Sequence, residues 1–186
     1  MIFWVMIKNE ASLFFERIKK VCLFDSSVYK DTRNALASAF IIVLLVALSH
    51  GIGGMIRARI NNWDPQESFV FGFQGEIAFW LVQSIVFFLI AKLLLHKPIK
   101  LREILSSTGY AIFPGVLVIL ASLLQGVGLS VPMLISLAIY RLATCVAALY
   151  QILNIKLLIA ILMVVAGSVT GFLSLGLLIK LTEWIS

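Results

Sequence analysis

Residues 157–179 read LLIAILMVVAGSVTGFLSLGLLI, without a single charged side chain. A helix rises ~1.5 Å per residue, so a run of about 20 apolar residues is long enough to cross ~30 Å of hydrocarbon. This run therefore predicts a membrane-spanning α-helix.

The rest of the chain repeats the same pattern. Hydrophobic residues make up 61% of the 186 residues and charged residues only 13%, whereas soluble domains are about half apolar and about a quarter charged. Five apolar blocks are predicted to span the membrane, at residues 34–55, 76–95, 107–125, 131–153 and 157–179. We therefore predict an all-α polytopic membrane bundle of five transmembrane helices at 34–180. An amphipathic interfacial segment at 1–33 precedes it, and a short outside tail at 181–186 follows.

The distribution of lysine and arginine predicts the orientation of the bundle. Eleven basic residues flank the spans on the side of the N-terminus, and three flank them on the other side. Basic flanks are retained in the cytoplasm, so the N-terminus is predicted inside and the C-terminus outside. The location would be the cell membrane in a prokaryote, or the endoplasmic reticulum or Golgi in a eukaryote. The net charge of +6 favours anionic lipids over nucleic acid as a partner, although basic flanks also serve simply to set topology.

The leading segment has the pattern of an amphipathic helix that lies in the headgroup region. Leu13, Phe14, Ile18 and Val21 recur at helical spacing, and the charged residues lie largely on the other side. The candidate contacts for lipid or a protein partner are basic residues of this segment and of the loop between the second and third spans: Arg17, Lys19, Lys20, Lys97, Lys100 and Arg102. The alternative is a passive helix that leads into the first span.

Polar residues within the spans form the candidate intramembrane site. Arg141 lies midway along the fourth span, where an ionisable side chain is costly and is a functional candidate by default. Arg141 has two possible partners. One is the carboxylate of Glu76, predicted at the outer edge of the second span; the other is the carbonyl of Tyr110, which Pro114 leaves without its helical hydrogen bond. The site also includes two amides that we predict to bond between helices, Gln83 and Gln125. A structural tie and a contact to a substrate or ion both remain open for Arg141.

Catalytic chemistry has almost no signature in this sequence. His50 and His96 are predicted at the ends of spans on opposite sides of the membrane, and Cys22 and Cys145 are too few for a zinc or iron–sulfur site. Phosphate loops, dinucleotide fingerprints and the nucleophile elbow are absent from the sequence. We therefore expect a protein that is not an enzyme and has no catalytic residue, metal or cofactor.

Small residues of the fifth span predict close helix packing. Gly167 and Gly171 form a small-xxx-small pair, which lets another helix approach closely. Packing inside the bundle is the simpler interpretation, and homo-oligomerisation through this face is the alternative.

The cytoplasmic loop and the start of the third span carry a short motif, Gly-Tyr-x-x-x-Pro, at Gly109, Tyr110 and Pro114. A basic loop with Leu-Arg-Glu-Ile-Leu at 101–105 precedes it, and the leading segment contains Phe-Phe-Glu-Arg-Ile-Lys-Lys at 14–20. Together with five spans and an inside N-terminus, these features resemble the Yip family of Ypt/Rab-interacting membrane proteins.

The resemblance implies a five-span bundle without known catalytic residues, in which Gly109, Tyr110 and Pro114 are family-motif positions. Eukaryotic members act in vesicle trafficking and associate with prenylated Rab-type GTPases and with one another. This sequence has neither their long polar N-terminal domain nor their Asp-Leu-Tyr-Gly-Pro signature, so it is more similar to the prokaryotic branch.

Two functions follow from these patterns. The first is a membrane-organising or adaptor protein, related to trafficking, that acts through the leading helix and the loop between the second and third spans. The second is a small transporter, channel or lipid-moving protein, in which Arg141, Tyr110 and the kink at Pro114 line a cavity.

Overall fold

The computed structural model describes the backbone of residues 2–185 and the side chains of residues 12–174, 176, 177 and 180. Within this part of the chain the regular elements are all helical. The helices are α1 (Ile2–Cys22), α2 (Val28–Asp31), α3 (Leu36–Asn61), α4 (Pro65–Leu89), α5 (Leu101–Ala111), α6 (Val118–Leu123), α7 (Ser130–Leu153) and α8 (Leu157–Ile185). A π-helical turn, Ile90–Leu94, follows α4, and two 3-10 turns, Phe113–Leu117 and Leu124–Val127, flank α6.

Five of these helical stretches are long and apolar enough to cross a membrane. They are Leu36–Asn61, Pro65–Leu94, Leu101–Val127, Ser130–Leu153 and Leu157–Ser174. The predicted all-α bundle with five spans is therefore confirmed, and the chain is an integral, multi-pass membrane protein. Where the tail at 181–186 was predicted, α8 continues to Ile185. Lys8 is one of the eleven basic residues counted on the N-terminal side, and its side chain lies outside the described residues.

The first and second spans are longer than the apolar blocks that predict them. The connection at 56–75 between the first two predicted spans shortens to a turn, because α3 continues to Asn61 and α4 already begins at Pro65. The Asp64 side chain accepts hydrogen bonds from the backbone N–H groups of Gln66 and Glu67, which caps the start of α4. The polar residues at these ends lowered the hydropathy of segments that are nevertheless helical.

The third span is broken in the middle, as Pro114 predicts. Proline has no backbone N–H, and the α-helix ends at Ala111 before a 3-10 turn. The hydroxyl of Ser49 on α3 donates to the carbonyl of Val116 at 2.7 Å and accepts from the N–H of Ile119 at 3.1 Å. The hydroxyl of Thr144 on α7 donates to the carbonyl of Ala111 at 2.6 Å. Neighbouring helices thus satisfy backbone groups that the break leaves without helical partners.

Glycines bring the spans into close contact. A methyl group added at Gly72 of α4 would lie 2.6 Å from the backbone oxygen of His50 on α3, so the two helices approach backbone to backbone there. Gly167 and Gly171 of α8 lie against Phe87 and Phe79 of α4. The small face of the fifth span therefore packs within the bundle.

The leading segment is docked onto one end of the bundle. Val21 of α1 and Val28 of α2 are buried in the core. The hydroxyl of Tyr140 on α7 donates to the carbonyls of Val21 and Cys22, and the amide of Gln151 donates to the hydroxyl of Ser26 at 2.8 Å. The segment is therefore part of the folded domain.

Candidate functional site

The centre of the site is an ion pair between α4 and α7. Nη1 of Arg141 donates to Oε2 of Glu76 at 3.0 Å, and Nη2 lies 2.7 Å from Oε1. Nδ1 of His50, on α3, lies 3.6 Å from the same Oε2. The guanidinium carbon of Arg141 also lies 5.1 Å from the centre of the Phe79 ring, within range of a cation–π contact. Three helices thus meet at one carboxylate.

The depths of Glu76 and His50 correct the interpretation of the sequence. Glu76 was expected at the outer edge of its span and His50 at the end of its own, but each lies well inside a long helix. The cause is the helical extension beyond the apolar blocks, which moves both residues away from the helix ends. The carboxylate of Glu76 is therefore the partner of Arg141, and the carbonyl of Tyr110 is not.

A cavity of about 470 Å³ lies beside the ion pair, a volume within the ordinary range for small-molecule sites. Its wall combines the ion-paired residues with small and apolar side chains: His50, Phe71, Gly72, Gly75, Glu76, Phe79, Gln83, Gly115, Val118, Leu134, Leu137, Ala138, Arg141, Leu142, Cys145, Ser168 and Phe172. Among the described residues, Gly115 and Val118 are the third-span residues in that wall. The expectation that Tyr110 and Pro114 line the cavity is therefore wrong.

The two amide candidates have different surroundings. Gln83 is buried in the cavity wall, and its Nε2 donates to the hydroxyl of Ser168 on α8 at 3.1 Å, which is the predicted bond between helices. Gln125 lies in the 3-10 turn after α6, outside the cavity wall. Among the described residues, the buried side-chain atoms without a hydrogen-bond partner include Oε1 of Gln83, Nε2 of His50 and Oε1 of Gln125, so the predicted bond between helices is not seen for Oε1 of Gln125.

The residues of the Gly-Tyr-x-x-x-Pro motif are buried at and before the break in the third span. A methyl group at Gly109 would lie 2.9 Å from Cβ of Ala39, so this glycine lets α5 approach α3 closely. Tyr110 and Pro114 are buried as well. Next to the motif, Thr108 accepts from Nε1 of Trp80 at 3.2 Å and bonds with the hydroxyl of Ser84 at 2.8 Å. Hydroxyls within apolar spans were the available signal for this network, and the sequence interpretation missed it.

The candidate basic residues lie at the end of the bundle where the leading segment docks. We call this the basic end; it consists of α1, α2, residues 95–103 and residues 150–156. Lys97 donates to the carbonyl of Asn154 at 3.3 Å, and Arg102 donates to the side chain of Asn34 at 3.2 Å. Lys19 and Lys100 are exposed, and Arg17 is half-buried. Lys20 pairs with Glu16 at 3.1 Å, and that hydrogen bond together with the charge of Glu16 raises the pKa of Lys20.

The basic end also contains a second concavity, of about 690 Å³. Lys30, Arg33 and Lys97 contribute to its wall. Nη2 of Arg33 donates to the carbonyl of Ile152 at 2.7 Å, at the C-terminus of α7, where cations are favourable. The sequence interpretation did not single out Lys30 and Arg33, although both lie in the basic flank before the first span.

Among the side chains that the structure describes, no three from His, Cys, Asp and Glu lie close enough together to hold a metal ion.

No protein-family model, curated protein or solved structure matches the chain.

Proposed function

We propose that this protein is a non-enzymatic, Yip-type membrane protein that organises lipids or recruits partners at its basic end. The observation that carries the proposal is the docking of the leading segment, because docking holds its exposed apolar and basic side chains at one end of the bundle. Five spans, together with Gly109, Tyr110 and Pro114 in the core of the third, support the resemblance to that family.

The side chains at the basic end suit an anionic membrane surface. Phe15, Leu23 and Phe24 are exposed beside Lys19, so apolar and basic groups emerge together. A segment with this combination binds where acyl chains meet headgroups, and basic residues near that surface attract anionic lipids. The distribution of lysine and arginine predicts that this surface is cytoplasmic.

The expected result of reversing two of these charges is a loss of anionic lipid around the basic end. The double variant Lys19→Glu/Lys20→Glu should lower the local enrichment at least about fivefold, because each basic group near the surface contributes roughly 1 kcal/mol. A fluorophore on Cys22, which is exposed while Cys145 is buried, would report energy transfer to labelled anionic or zwitterionic lipid in proteoliposomes.

The matched control reverses two charges at the opposite end of the bundle, Arg57→Glu/Arg59→Glu. Energy transfer from Cys22 should remain at the wild-type level in that variant, because salt screens charges beyond about 10 Å. Equal losses in both double variants, or no loss in either, would contradict the proposed role of the basic end.

Lipid movement or transport is the second candidate function, and the cavity beside an intramembrane ion pair favours it. Polar groups next to a broken helix are how many transporters form a site. If the protein moves lipid, wild-type proteoliposomes should exchange labelled lipid between leaflets, and Glu76→Leu/Arg141→Leu should reduce the rate at least about tenfold because the polar site is lost.

Leaflet exchange is measured by chemical quenching of the label in the outer leaflet, with Arg59→Leu as the control that leaves the cavity intact. A wild-type rate equal to that of protein-free liposomes would refute lipid movement. The adaptor proposal would stand in that case.

A further inference from the structure

The mouth of the 470 Å³ cavity faces the bilayer. Phe71 on α4, Leu142 on α7 and Phe172 on α8 line the cavity, and all three are exposed on the outer surface of the bundle. Because they belong to membrane-spanning helices, the surroundings of that surface are acyl chains. An occupant of the cavity therefore arrives from the bilayer, with an apolar chain.

The polar groups of the cavity are balanced in charge. The carboxylate of Glu76 and the guanidinium of Arg141 already neutralise each other at 2.7 and 3.0 Å. An occupant with a charged head group would add an uncompensated charge where water is scarce, which is unfavourable. A neutral polar head group has no such penalty.

Two buried polar atoms of the cavity wall indicate that an occupant is held by hydrogen bonds rather than by charge. Gln83 is 2% exposed, and its Oε1 has no partner among the described residues; the same is true of Nε2 of His50. A buried carbonyl without a donor is destabilising, so a hydroxyl group that donates to it is favoured. Both atoms are themselves shielded, so a bond from a head group to either of them requires a change of side-chain rotamer.

We infer that this cavity binds a neutral, single-chain amphiphile from the bilayer and holds its hydroxyl-bearing head group beside Glu76, Gln83 and Arg141. The cavity is too small for a whole diacyl phospholipid, and a single chain extends through the mouth. Binding of this kind requires neither lipid movement nor an adaptor role.

The experiment compares three probes on the full-length protein in phosphatidylcholine nanodiscs. Tritiated monopalmitoylglycerol, palmitate and hexadecylamine have the same chain length but neutral, anionic and cationic head groups. Binding is counted against protein-free nanodiscs. We expect saturable binding of monopalmitoylglycerol at least about tenfold tighter than that of either charged probe. Equal affinity for the three probes, or preference for a charged one, would overturn the inference.

A pair of matched variants tests the location. Ala138 is an exposed residue of the cavity wall, whereas Ala166 is exposed on α8 outside that wall. Ala138→Trp should weaken binding of monopalmitoylglycerol at least about tenfold by filling the mouth, and Ala166→Trp should bind as the wild type does. Gln83→Leu, which removes the unpartnered acceptor, should also weaken binding. Wild-type binding by Ala138→Trp and Gln83→Leu would exclude this cavity as the site.

Discussion

Replacing Arg141 with alanine is expected to lower the free energy of unfolding by about 3–5 kcal/mol, because it leaves the carboxylate of Glu76 buried without its charge partner. The side chain of Glu76 is only 4% exposed, so its carboxylate is largely shielded from bulk water. Unfolding in mixed detergent micelles, followed by circular dichroism, measures the loss.

Two control variants separate the charge effect from a loss of packing. Glu76→Leu/Arg141→Leu removes both charges and should recover most of the stability, since a buried ion pair can often be replaced by apolar side chains at little cost. Arg59→Ala removes an exposed arginine at the end of α3 and should change the stability by less than about 0.5 kcal/mol. If Arg141→Ala were as mild as Arg59→Ala, the pair would not be a buried interaction.

Adding one methyl group at Gly72 is expected to destabilise the bundle by about 1–3 kcal/mol. The new Cβ would lie 2.6 Å from the backbone oxygen and 2.8 Å from the backbone carbon of His50, so α3 and α4 must separate locally. The same detergent unfolding experiment measures the loss, and the separation should also shift His50 relative to Glu76.

Gly176→Ala is the matched control for that substitution, because a methyl group at Gly176 meets no atom within 4 Å among the described residues. This variant should be as stable as the wild type or slightly more stable, since alanine favours a helix over glycine. Equal stability of Gly72→Ala and Gly176→Ala would show that the close approach of α3 and α4 is relaxed in solution.

The sequence predicts the five spans because hydropathy reports which residues cross hydrocarbon. Hydropathy does not report where a helix ends, since backbone hydrogen bonding continues into polar residues such as Arg57 and Glu67. For this reason the depth of Glu76 was misjudged even though its residue type and that of Arg141 were recognised as unusual.

The hydroxyl groups at the break illustrate a second limit. Within an apolar span a serine or threonine commonly bonds to its own helix, as Ser122 and Thr170 do here. Ser49 instead bonds to the broken third span, and Thr144 bonds both to its own helix and to that span. Only the three-dimensional arrangement distinguishes these cases. The same limit applies to the cavity, whose wall draws on five spans.

The docked leading segment has a consequence for biosynthesis. Its partners Tyr140 and Gln151 belong to the fourth span, more than one hundred residues downstream. The leading segment therefore lacks its contacts to the fourth span until that span has been synthesised, although the hydrogen bond from Ser107 to the carbonyl of Tyr29 already joins it to the third span. A nascent chain arrested before residue 140 lacks the hydrogen bonds that hold the end of α1 against the fourth span.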